Sequence, residues 1–156
     1  MDDPIDRIQK SYDDLEAVLA RFSDEELTTP GKVGTWSVRE VMAHLAAWHN
    51  WGQRAIEIRL TSDNVPPEMA AEAQNPDPFN AEAATAWKSY DARQARAAFT
   101  QAYADLKHFL TTTPREKLYR QITRPNGKTT SPVSTLSALA HHNNEHVAEL
   151  EAMLNG

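Results

Sequence analysis

The run HHNNEHVAEL, residues 141–150, sets His142 and His146 four positions apart. In a helix that spacing puts both imidazoles on one face, a turn from each other, where they can converge on one metal ion. A third imidazole has a matching placement. His44 lies inside SVREVMAHLAAWHNW, an earlier amphipathic stretch, and two helices lying side by side would bring it opposite the pair. Three neutral nitrogens with an open fourth position form a donor set suited to catalysis, since structural zinc sites close all four positions. The residue after His142 is Asn143 where a zinc protease would need Glu, so that motif is absent. The sequence also holds no glycine-rich phosphate loop and no GxSxG nucleophile turn.

Composition narrows the chemistry further. There is no cysteine, which removes disulfides, thiolate metal sites and a cysteine nucleophile, so any metal must use nitrogen and oxygen ligands. Sixteen Lys and Arg against 22 Asp and Glu give a net charge of -6, the opposite of the basic excess that draws a protein onto nucleic acid. The first residues, MDDPIDRIQK, are acidic and lack the basic start and apolar run of a signal peptide, and no stretch approaches membrane-spanning length. A cytoplasmic protein with a small-molecule substrate, bound to neither nucleic acid nor membrane, is expected. At 156 residues one domain over 1–156 is long enough to bury a core.

Four main helices can position the three histidines. Residues 4–22 carry Ile5, Ile8, Tyr12, Leu15, Val18, Leu19 and Phe22 at three-and-four spacing, with Pro4 suited to the first turn. The connector FSDEELTTPGKVGTW is too rich in Pro, Gly and Thr to hold a regular helix throughout. Ser37 and Glu40 then make a capping box, opening a second helix that runs to about residue 60 with Val38, Val41, Met42, Leu45, Trp48, Gly52, Ala55 and Ile56 as its buried stripe. Residues 61–79, broken by four prolines, predict a long crossover with at most a short helical turn. A third helical region begins near Asn80, is interrupted around 89–91, and continues through Phe99, Tyr103, Leu106 and Leu110 to Pro114. Asn126-Gly127 predicts a small hairpin, and Pro132 or Ser134 opens the last helix. No alternating runs supply a sheet, so the fold class is all-α, a four-helix bundle with its long crossover between the second and third helices.

On a helical wheel, Leu136, Ala140, Asn143, Val147, Leu150 and Leu154 face the core, with His142 and His146 on one shoulder of that stripe and His141 turned away. In the second helix His44 and Trp51 share one shoulder and His49 takes the other, so His44 and His49 are not expected in one site. A shoulder histidine is more often hydrogen-bonded to a neighbour than ligated to metal, and tryptophans are more often core than ligand wall. The i and i+4 pair shifts that balance only modestly, so His44, His142 and His146 stand as candidate ligands, and Trp48 and Trp51 as candidate walls of the adjoining cleft. Glu145 is a candidate to orient a ligating histidine or shuttle protons, although periodicity sets it on the solvent face.

TWSVREVMAHLAAWHNW, followed about a hundred residues later by HHNNEHVAELEAML, with Phe79-Asn80 between them, resembles the DinB-like superfamily, and within it the DfsB and ClbS branch. The resemblance implies a four-helix bundle, often a homodimer, with a divalent metal on His44, His142 and His146; zinc and nickel suit such ligands. Related members are thiol-dependent transferases and a maleylpyruvate isomerase, which use the metal to activate a low-molecular-weight thiol. ClbS-like members act on a reactive genotoxin without clear need of the metal. In that branch an aromatic residue often replaces the first late histidine while the Glu-His pair stays, and this chain keeps both His142 and Glu145-His146. The function expected is a metal-dependent enzyme activating a small thiol or water for transfer to a small electrophile. The alternative is a metal-free detoxification protein of the ClbS type or a non-catalytic bundle that binds a small molecule.

Overall fold

The computed structural model describes residues 3–155. Three of the four long helices start where a side chain can satisfy the backbone N–H groups that lack an intrahelical partner. Helix α1 (Pro4–Leu19) is opened by Asp3, whose carboxylate accepts from Ile5 N at 2.9 Å. Helix α3 (Val38–Arg59), preceded by the short helix α2 (Asp24–Thr28), has the expected capping box: Ser37 Oγ accepts from Glu40 N, and Glu40 Oε1 accepts from Ser37 N. After α4 (Pro67–Gln74) and α5 (Asp77–Ala86), a second box of Asp91 and Gln94 opens α6 (Ala92–Thr112). Helix α7 (Arg115–Leu118), the two-residue strands β1 (Ile122–Thr123) and β2 (Thr129–Thr130), and a 3-10 turn at Pro132–Ser134 lead into α8 (Thr135–Asn155).

The four long helices α1, α3, α6 and α8 form the bundle, and their neighbours do not follow chain order. The first helix lies along the last, and α8 and α6 both pack on α3. Tyr12 of α1 closes the ring onto α6, stacking on Tyr103 with centroids 3.8 Å apart and on Phe99 at 5.6 Å. Ile8, Leu15, Leu45, Ile56, Phe99, Leu106, Leu136 and Leu150 fill the interior with almost no exposed surface. Where α3 meets α8, Gly52 leaves room for Leu139: a Cβ there would stand 2.3 Å from Leu139 Cδ1, so that side chain would have to move.

The structure corrects the sequence reading in the connections. The first helix stops at Leu19, and the connector after it holds α2, because Ser23 and Glu26 make their own capping box. The crossover is largely helical: prolines occupy the first turns of α4 and α5, where a missing N–H costs nothing. The third helical region therefore starts at Asp77, and α5 lies against α3 as part of the cleft wall. The hairpin forms with Gly127 at φ 82° and its N–H donating to Arg124 O at 2.9 Å. Among the described residues no helix is long and apolar enough to cross a membrane.

Candidate metal centre

His44 projects from the second turn of α3, and His142 and His146 from one face of α8. Packing of α8 against α3 brings the three rings together. His142 Nε2 is the hub, 2.9 Å from His44 Nε2 and 3.2 Å from His146 Nε2. One nitrogen from each ring lies within 4.8 Å of the others, and the two separations from His142, 2.9 and 3.2 Å, are close to the roughly 3.4 Å between tetrahedral ligands about 2.1 Å from an ion. His44 is 5 % exposed, and the other two are half-buried at the cleft edge.

The protons on these rings follow from their outer partners. Trp48 Nε1 can only donate, and it lies 2.8 Å from Asn80 Oδ1, which fixes that atom as the amide oxygen. The same oxygen is 2.9 Å from His44 Nδ1, so Nδ1 carries the proton and Nε2 presents a lone pair. His146 Nδ1 faces Glu149 Oε1 at 3.0 Å and donates to it, so in the neutral tautomer its Nε2 is a lone pair as well. His142 Nε2 thus meets two lone pairs, and a single proton on it could satisfy only one. A cation satisfies all three, and Asn80 and Glu149 are the kind of outer partner that orients metal-ligating imidazoles. The donor set fits a divalent ion.

Electrostatics favours the ligating form. Burial, and then the neighbouring imidazoles, hold His44 at a pKa of about 4. Burial, then His146, does the same for His142, also to about 4, with Glu145 opposing. Both rings are therefore uncharged at neutral pH, the state that binds metal.

Beside the triad is a cleft of about 370 Å³ lined by His44, His142, Trp48, Trp51, Pro76 and Leu139 among others. Trp48 lies against Phe79 and Trp51, with centroids 4.4 and 5.4 Å apart. Trp48, expected in the buried stripe, is instead half-buried on this wall with Trp51. His49 points away from the triad and is 1 % exposed, with Nε2 3.2 Å from Asn143 Oδ1. The structure sets Glu145 on the solvent side of α8, 3.6 Å from the exposed His141. The carboxylate beside the triad is Glu149. It stands three residues after His146, a spacing that sequence reading could have used. Asn80 was noticed in the sequence, but nothing local linked it to a histidine 36 positions earlier.

The DinB superfamily profile matches residues 7–150. Among solved structures, one from Bacillus subtilis, YfiT, described as "a probable metal-dependent hydrolase with an unusual four-helix bundle topology", is 20% identical with a TM-score of 0.59, covering 96% of this chain and 83% of that one. The mycothiol-dependent maleylpyruvate isomerase is 14% identical with a TM-score of 0.70, covering 94% of this chain and 59% of that one. A mutant of it gives 13% and 0.72 over the same shares. The chain thus spans under two thirds of the isomerase, and at these identities the likeness is one of fold. No curated protein matches the chain by sequence.

Proposed function

Because the chain belongs to the DinB superfamily, we propose that it is a divalent-metal-dependent enzyme. In this reading His44, His142 and His146 hold zinc or nickel, and a water or low-molecular-weight thiol is activated for transfer to a small electrophile. The observation that carries this reading is the convergence of three Nε2 atoms, two of them fixed as lone pairs by Asn80 and Glu149. A metal ion bound there supplies a Lewis acid that brings the pKa of its bound water or thiol toward neutrality.

The chain's own residues do the rest. Asn80 and Glu149 hold two of the three rings in the ligating tautomer and orientation. Trp48 anchors Asn80, and with Trp51 it offers an apolar wall for the uncharged part of a substrate. With no cysteine in the chain, any thiol must come from solution. The solved neighbours described as metal-dependent and as mycothiol-dependent support the two routes, water and thiol.

Elemental analysis of untagged protein tests the metal, and cobalt substitution tests the chemistry. Stoichiometric metal is expected, with cobalt absorption bands that shift when a thiol is added and a response lost in His146→Ala. Protein that never takes up metal in this cleft overturns the reading. The apolar cleft itself favours the second one: a metal-free bundle of the ClbS type that binds or inactivates a small molecule against Trp48 and Trp51.

A further inference from the structure

The last turn of α3 buries a guanidinium that lacks a counter-charge. Arg59 is 7 % exposed. Its Nη1 donates to Thr135 Oγ1 over a long 3.3 Å, while Nε and Nη2 have neither a protein acceptor nor contact with solvent. Those two nitrogens form one edge of the guanidinium, the parallel donor pair that matches the two oxygens of a carboxylate. The nearby acid, Asp63, is paired instead with Arg120 Nη2 at 3.1 Å. Burial, and then the charges of Arg124 and Arg120, press the Arg59 pKa downward, with Asp63 opposing. A buried charge in such a setting is costly unless something pairs with it.

Next to this group lies a cavity of about 210 Å³ whose wall includes Arg59, Arg124, Asp63, Asn64, Trp51 and Thr135. Trp51 Nε1 is a further buried donor without a partner. Arg124 is bonded through Nη1 to Asn64 Oδ1 at 3.2 Å. Trp51 and Thr135 also line the cleft beside the histidines, so the two hollows share a wall.

We propose that this cavity is a carboxylate-binding subsite, in which Arg59 and Arg124 hold the anionic end of a small organic acid. The uncharged part of that acid lies across Trp51 toward the triad. Arg59 gives up its weak bond to Thr135 and turns its free edge into the cavity. The guanidinium fork matches carboxylate and phosphate alike, and it is the indole of Trp51 on the wall that favours an acid carrying an apolar part. The subsite itself stands on Arg59 and its surroundings; only the claim that the bound acid is the substrate rests on the function proposed above.

The test uses 3-phenylpropionate, its neutral analogue 3-phenylpropanamide and inorganic phosphate. Each is titrated by tryptophan fluorescence into protein stripped of metal and desalted, and again into zinc-loaded protein. The acid is expected to bind saturably in both forms and at least about tenfold more tightly than the amide or phosphate, the loss that follows from leaving a charged fork unpaired. Arg59→Lys, which keeps the charge but loses the fork, should weaken the acid about tenfold. Arg124→Gln should weaken it several-fold and carries the test if Arg59→Lys does not fold. Arg54→Gln, exposed on the same helix, should leave binding unchanged. Equal binding of acid and amide, phosphate as tight as the acid, no saturable binding, or indifference of the acid to both arginine variants overturns the subsite. Binding seen only with zinc and insensitive to both arginines makes the carboxylate a metal ligand, which overturns this inference and leaves the metal reading standing. Arginine-dependent binding in protein that takes up no zinc does the reverse.

Discussion

Helices α3 and α8 hold two histidine clusters a short way apart, and the two have opposite chemistry. At the triad, three ring nitrogens face one another, with lone pairs pointed inward by Asn80 and Glu149. One turn along α3, His49 is set into the core, where Asn143 meets its Nε2 and passes a hydrogen bond to Ser11 Oγ at 3.1 Å, linking α3, α8 and α1. Both clusters are buried, and both contain a histidine held near pKa 4 by burial. What separates them is what meets Nε2: His49 presents that nitrogen to an amide that can accept its proton, while its Nδ1 is buried without a partner, whereas the triad turns ring nitrogens toward one another. A buried histidine is a ligand candidate when its inward nitrogen faces the donor atoms of other side chains, and a structural one when no second ligand atom stands near it.

The largest contrast should come from deleting one ring of each kind. His142→Ala removes the hub and is expected to weaken zinc by well over a hundredfold in a competition titration, more than loss of an outer partner would cost, with little change in the melting temperature of metal-free protein. His49→Ala should do the reverse. The cavity and the stranded Asn143 amide are expected to cost about 2–4 kcal/mol, or roughly 5–15 °C in melting temperature at this size, while zinc affinity of the folded protein stays within a few-fold. Equal effects of both changes on metal affinity would erase the distinction.

A pH series sharpens the same comparison. His49 is neutral in the fold, with its pKa lowered from 6.5 to about 4. Its contribution is therefore present above pH 6.5 and is lost as pH falls through about 4, because the unfolded chain takes up the proton first. That amounts to about 3 kcal/mol. Denaturant melts of metal-free protein should show stability falling over this window, and a folded His49→Gln variant should lose His49's share of the fall while that of His44 and His142 remains.

Gly52→Ala tests whether the crossing sets both clusters. The added methyl meets Leu139, and separating α3 from α8 is expected to cost about 1–3 kcal/mol and to lower zinc affinity as well; stability lost with zinc affinity intact would show that the triad does not depend on this close approach. Asn80→Ala should weaken zinc by about 10–100-fold, whereas Asn143→Ala should act on melting alone. The smallest effects belong to His108→Ala and His141→Ala, both exposed, for which zinc affinity and melting temperature should stay within error.

The sequence alone determined the four long helices, the capping box of the second and the shoulder on which each histidine sits. These depend on interactions within a turn or two: Ser37 with Glu40, Asp91 with Gln94, and His142 with His146 at one helical repeat. It also separated His44 from His49, since residues five apart fall on different sides of a stripe. Only the tertiary structure decided which helices are neighbours, that α5 folds back to put Asn80 under His44, that Glu149 rather than Glu145 meets the triad, and that Arg59 is buried without a counter-charge. Those outcomes depend on how whole helices pack and rotate against partners tens of residues away, and periodicity, which repeats every turn, carries no information about which distant stripe it will meet.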